Sequence, residues 1–151
     1  MPQSLSQVYL HLIYATKGRH PYLRDTALRE ELFLYVKGTC DGLNCPSVQT
    51  GGWEDHIHIL CRFGRTISIA DLVKGIKTAS SAWIKSKSPG HRDFHWQLGY
   101  GTFSVSPADV NVLIDYIQRQ EEHHRTETFQ DEFRRICQKY GVAIDERYVW
   151  D

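Results

Sequence analysis

Residues 7 to 15, QVYLHLIYA, constrain this chain more than any other stretch. They are rich in β-branched and aromatic types, and apolar side chains fall on both faces of the strand they imply. Such a strand belongs in the middle of a sheet, with neighbours on either side. The chain supplies them. Residues 46 to 51 read as a short strand, Gly51 and Gly52 mark a turn or bulge, and residues 55 to 63 (DHIHILCRF) alternate as a further strand. Residues 95 to 105 (HWQLGYGTFSV) complete the set, with glycines where backbone can pass close to a partner.

Helical periods fill the gaps. After an Asp or Thr cap, Leu28, Leu32, Tyr35 and Val36 recur at helical spacing from Asp25 to Lys37, and Gly38 predicts the stop. Ser68 and Asp71 have capping-box spacing ahead of Leu72, Val73, Ile76, Ala79 and Trp83, while Lys74, Lys77, Ser81 and Lys85 share the opposite face. Ser106 and Pro107 open a helix through about His124, and a last helix runs from Phe129 to Tyr140 before Gly141. The order is strand, helix, strand, strand, helix, strand, then extra helices. This predicts an α+β fold of the ferredoxin-like or RRM-like split type: an antiparallel sheet with helices on one face, the other left free, plus C-terminal helices.

The 151 residues fit one domain, residues 1 to 151. At 41% hydrophobic and 24% charged they exclude disorder or a fibre as the main description. No signal-peptide pattern opens the chain and no apolar run approaches a membrane span, so it reads as cytoplasmic. Cys40, Cys45, Cys61 and Cys137 follow no CxxC pairing and read as reduced packing residues.

Eighteen basic side chains balance eighteen acidic ones, a total that argues against nucleic acid at first sight. Counting by segment changes this. Residues 1 to 61 carry five basic and six acidic groups, residues 62 to 92 seven and one, and residues 93 to 151 six and eleven. The +6 segment holds Arg62, Arg65, Lys74, Lys77, Lys85, Lys87 and Arg92. It reads either as a strip that handles a polyanion or as a solvated helix face.

The strongest local chemical signal is Asp55-His56-Ile57-His58. Alternation puts both histidines on one strand face, roughly 7 Å apart along the chain, within reach of one divalent ion, while Ile57 and Ile59 point into the core. The other reading is a pair of hydrogen-bonded polar residues on a half-exposed strand. Metal binding needs a third ligand. Gln120 can present an amide oxygen, and Tyr116 stands one helical turn before it, beside the apolar stripe of Val110, Leu113, Ile114 and Ile117.

Taken together, DHIHIL (55 to 60), LVKGIKTASSAWIK (72 to 85), WQLGYGTFSVS (96 to 106) and YIQRQEEHH (116 to 124) resemble the single-tyrosine HUH transposases of the insertion sequence 200 type, including their REP-associated relatives. The resemblance runs in the right order through nearly the whole chain. It implies a DNA strand transferase acting on single-stranded, hairpin-bearing ends, with His56, His58 and Gln120 holding Mg²⁺ or Mn²⁺. Tyr116 would be the nucleophile that forms a 5′-phosphotyrosine. It also implies a homodimer in which Tyr116 can be supplied across the subunit interface. His123 and His124, on or near the same helix stripe, are candidates for an auxiliary role in phosphate contact or proton transfer. His11 reads as a satisfied histidine at the core edge. DNA contacts fall to Arg62, Arg65, Lys74, Lys77 and Lys85, with Ser80 and Ser81 as neutral additions and Trp53, Trp96, Tyr100 and Phe103 as rings on which bases can stack. The same resemblance also covers a domesticated REP-associated nuclease or strand transferase, and two other classes remain open: a catalytically silent single-stranded nucleic-acid-binding module, and a metal-dependent hydrolase that would leave the lysine stripe unexplained.

Overall fold

A computed structural model describes residues 2 to 151. Four strands, β1 (Tyr9–Ala15), β2 (Ser47–Gly52), β3 (His56–Arg62) and β4 (Gly101–Val105), form one antiparallel sheet in the order β2-β3-β1-β4. The central position expected for β1 is observed: it pairs with β3 from Tyr9 opposite Arg62 to Ala15 opposite His56, and with β4 from Tyr9 opposite Val105 to Ile13 opposite Gly101. The α+β split arrangement is therefore the one the sequence predicts.

On one face lie α1 (Thr26–Gly42) and α2 (Ile69–Lys87). The odd residues of β3, Ile57, Ile59 and Cys61, join Leu10, Leu12 and Tyr14 of β1 in a core with Leu32 and Val36 of α1 and Leu72, Val73, Ile76 and Ile84 of α2. Asp25 caps α1 by accepting from the main-chain N–H of Ala27 and Leu28, and Ser68 caps α2 through Asp71. Helix α1 outruns its predicted stop at Gly38. Cys40, one turn beyond Val36, is fully buried on the same stripe, and its packing outweighs the modest cost of a helical glycine.

The opposite face is not free, contrary to the expectation from sequence. Helix α5 (Phe129–Lys139) packs Phe129, Phe133, Ile136 and Cys137 against Ile13, Ala15 and Phe103 of the sheet. Helix α3 (Val110–Gln118) closes the rest with Ile117 on Leu60 and Val105. The predicted single helix to His124 is interrupted at Arg119, and α4 (Gln120–His123) continues as one short turn. Gly51 makes the approach of α3 possible. A Cβ there would lie 2.7 Å from Ile117 Cγ2 and 2.9 Å from its carbonyl oxygen, so only glycine lets the helix sit this close. All four cysteines are buried and free, and no helix among the described residues is long and apolar enough to cross a membrane.

Candidate active site

Strand alternation places His56 and His58 on the face covered by α3 to α5, and both are fully buried. Buried imidazoles need partners for each ring nitrogen. His56 Nδ1 donates to Asp55 Oδ1 at 2.7 Å, and its Nε2 lies 2.8 Å from Gln120 Oε1. His58 Nδ1 shares a hydrogen bond of 2.8 Å with His11 Nε2, and its Nε2 lies 3.2 Å from Glu132 Oε1. Thus Gln120 meets His56 across the gap between β3 and α4, as the sequence suggested. His11, buried and stacked on His58 with ring centroids 5.1 Å apart, fixes which nitrogen of His58 faces the site.

Glu132 is the residue that sequence reasoning missed. It comes from α5, is fully buried, and gathers five partners on one carboxylate. Oε1 faces His58, His56 at 3.3 Å and His124 Nε2 at 3.1 Å; Oε2 accepts from Gln120 Nε2 at 3.1 Å and from the Tyr116 hydroxyl. A signal was available. In the sequence FQDEFRRIC, Glu132 falls three after Phe129 and four before Ile136, on the apolar stripe that packs against the sheet, where a carboxylate without partners would be costly.

Charge follows from this packing. Burial opposes charging of His56, but hydrogen bonds to Asp55 and Glu132 outweigh it and raise its pKa to about 9. Burial dominates at His58 and His11 and lowers both. Burial pushes the Glu132 carboxyl up, yet the surrounding imidazoles of His58, His124 and His56 more than reverse it, so the carboxylate is ionised. Burial raises the Tyr116 phenol well above its usual value, and the Glu132 charge adds to this; the guanidinium of Arg135, which donates to Tyr116 Oη at 2.8 Å, pulls the other way.

The donor set fits a divalent cation. Ligand atoms of His56, His58 and Glu132 lie within 4.8 Å of one another, and Gln120 Oε1 is one hydrogen-bond length from His56 Nε2. Two imidazoles with carboxylate and amide oxygens make a mixed nitrogen and oxygen donor set of the kind that divalent first-row metals take. The Asp55 contact on the far nitrogen of His56 is the carboxylate–histidine arrangement that orients a metal ligand.

Tyr116 joins this cluster within one chain. Its ring packs edge-on to His58 at 5.9 Å and lies against His123 at 4.6 Å. His124 reaches the cluster centre through Glu132 and Gln120, whereas His123 stays beside the tyrosine ring with its Nε2 unpartnered among the described residues.

A family model described as "Transposase IS200 like" matches residues 4–120. The chain belongs to the IS200-like transposase family. The matched span includes the histidine strand, Tyr116 and Gln120 and ends before Glu132. Among solved structures, a chain from Deinococcus radiodurans R1 assigned as a transposase aligns with 26% identity over 80% of this chain and 95% of that one, at a TM-score of 0.61. The structure of a REP-associated tyrosine transposase bound to a REP hairpin shares the fold at 12% identity, over 82% of this chain and 72% of the other, with a TM-score of 0.57. No curated protein matches.

The expected DNA contacts of this transposase scatter. Helix α2, with Lys74, Lys77 and Lys85, packs on the sheet face opposite the histidines. Lys77 departs from the expectation: half-buried, it donates to the carbonyls of Gln97, Leu98 and Gly99 at 2.7, 3.2 and 2.9 Å. Those three bonds use every N–H of the ammonium, so none remains for phosphate. Lys74 is exposed and Lys85 half-exposed. Arg62 and Arg65 are exposed together along an open cleft of about 280 Å³ at the end of β3. Arg62 shares the histidine face, about 13 Å beyond His58 by strand rise. Ser80 is buried and accepts from Trp96 Nε1, and Trp96 and Phe103 are core residues, so none of the three can meet DNA.

Proposed function

We propose that this transposase nicks and rejoins single-stranded DNA at hairpin-bearing ends through a 5′-phosphotyrosine on Tyr116. The observation that carries this reading is the convergence of Tyr116, His56, His58, Gln120 and Glu132 on one buried point. A nucleophilic hydroxyl and a metal-ligand set in direct contact are what phosphoryl transfer to a side chain requires. The fold shared with a chain bound to a REP hairpin supports the choice of hairpin DNA.

A divalent ion, Mg²⁺ or Mn²⁺, held by His56, His58 and Gln120 with Glu132 beside them, would supply Lewis-acid polarisation of the scissile phosphate. The chain does the rest. Tyr116 Oη forms the new bond to phosphorus, the bond to the 3′ oxygen breaks, and the leaving oxygen takes up a proton from water to depart as a free 3′-OH. The phenolic proton passes along the existing hydrogen bond toward Glu132 Oε2. Asp55 and His11 hold the two histidines in orientation. The phosphotyrosine conserves the energy of the broken bond, so a second 3′-OH can reverse the step and reseal the strand. Exposed Arg62, Arg65 and Lys74 and half-exposed Lys85 are the phosphate contacts, and a homodimer would bring two DNA ends together.

The test is incubation with a labelled hairpin single strand and Mn²⁺. A covalent protein–DNA adduct is expected, absent in Tyr116→Phe and in the presence of a chelator. Metal-dependent cleavage without any adduct would favour the hydrolase reading instead. Binding without cleavage would favour the silent module.

A further inference from the structure

The mechanism above leaves one cation at the reacting atom unused. Arg135, on α5 one turn after Glu132, donates through Nη2 to Tyr116 Oη at 2.8 Å. Its orientation is fixed independently: Nε and Nη2 donate to the two carboxylate oxygens of Glu127 at 3.1 and 2.9 Å. A guanidinium has five N–H donors. Three are taken by Glu127 and Tyr116, and among the described residues the two on Nη1 have no partner. The side chain is half-exposed, so these donors face solvent.

Two cavities flank this pair. One of about 190 Å³ is lined by His11, Val105, Leu113 and Lys139; the other, of about 410 Å³, by His123, Thr126, Glu127 and Asp131. Among the described residues, Tyr116 and Arg135 alone line both. A strand running from one cavity to the other crosses the tyrosine oxygen and the free edge of the guanidinium together. The buried, unpartnered Nε2 of His123, in the second cavity, is a further polar atom on that path.

We propose that Arg135 is a catalytic residue of this transposase, gripping a non-bridging oxygen of the scissile phosphate while Tyr116 attacks. This rests on the nucleophile assignment above. A phosphorus atom one bond from Tyr116 Oη carries its non-bridging oxygens into the reach of Nη1. As the Oη–P bond forms and the P–O3′ bond breaks, negative charge grows on those oxygens, and a guanidinium held in place by Glu127 stabilises it without reorganising. Glu132, beside the residues that would hold a divalent ion, and Arg135 each hydrogen-bond the tyrosine oxygen. Arg135 escapes a charge count because it lies in the −5 third of the chain, where Asp131 and Glu132, four and three residues before it, offset its charge.

The experiment is single-turnover adduct formation by full-length protein with Mn²⁺ and a fluorescent hairpin oligonucleotide taken from DNA flanking the gene. Arg135→Gln is expected to slow adduct formation about 10²-fold, the usual loss for one preorganised donor, with hairpin affinity within threefold of wild type. Arg135→Lys should recover part of the rate. A structural role would not predict the second readout. Replacing the scissile phosphate by methylphosphonate, which removes a charged non-bridging oxygen, should slow wild type strongly and Arg135→Gln much less. If Arg135→Gln forms adduct within threefold of wild type, or if the methylphosphonate penalty is the same in both proteins, the proposal is overturned while the Tyr116 reading stands. If wild type forms no adduct, or Tyr116→Phe still does, both fall.

Discussion

Glu132 holds the candidate site together, and Glu132→Gln tests that directly in the metal-free protein. The substitution keeps shape but removes the charge that faces three imidazoles. For His56 the rise from 6.5 to about 9 corresponds to about 3 kcal/mol at about 1.36 kcal/mol per pKa unit. Because the folded value lies above the unfolded one, that stabilisation is present in full below pH 6.5 and disappears as pH climbs through 9. His58 and His11, held neutral by burial, act in the opposite sense and cost stability as pH falls below 6.5. Asp55 still supports His56 in the variant, so roughly half of the pH-dependent term should remain. Removing one partner of a buried charged set costs about 3 to 5 kcal/mol, and the retained amide oxygen places Glu132→Gln near the lower end. At 151 residues this is a fall in Tm of roughly 6 to 12 °C. The assay is thermal unfolding with a chelator at pH 6 and pH 9. Wild type should lose stability between those pH values, and the variant should start lower and lose clearly less. A variant matching wild type within 2 °C at pH 6, with an unchanged pH slope, would refute the electrostatic reasoning.

Two further outcomes separate packing from DNA contact. Lys77→Met should lower Tm by several degrees, because three carbonyls lose their donor, yet leave hairpin affinity within twofold; Lys74→Ala should do the reverse, weakening hairpin binding and its salt dependence by about one phosphate without altering Tm. Gly51→Ala should cost about 1 to 3 kcal/mol and reduce adduct formation, since the added methyl displaces Ile117 and with it the helix that carries Tyr116 and leads to Gln120. Urea unfolding and the adduct assay check both.

The sequence revealed whatever depends on local period. DHIHIL alternates, so the parity that buries Ile57 and Ile59 also sends His56 and His58 to one face, and Tyr116 and Gln120 follow from helical spacing. The same parity implies that α2, packed on the isoleucines, lies behind the sheet from the histidines. A linear charge count does not contain that information, and it made the basic helix look adjacent to the site. Glu132 is positioned by tertiary packing of α5 over a face that the four-strand pattern alone leaves open. Its sequence signal is a carboxylate on an apolar stripe, which only has meaning once the stripe has something to cover. Lys77 is the converse, a charge read as free because the loop of residues 97 to 99 that accepts its hydrogen bonds is irregular and has no period to detect.

The central claim is that Tyr116 becomes covalently joined to a DNA 5′ phosphate. The most direct measurement is peptide mass spectrometry of the protein after incubation with a hairpin single strand and Mn²⁺ and nuclease trimming. The account predicts a nucleotide remnant joined through its 5′ phosphate to the peptide containing Tyr116. A remnant on any other residue, or one joined through a 3′ phosphate, would contradict it.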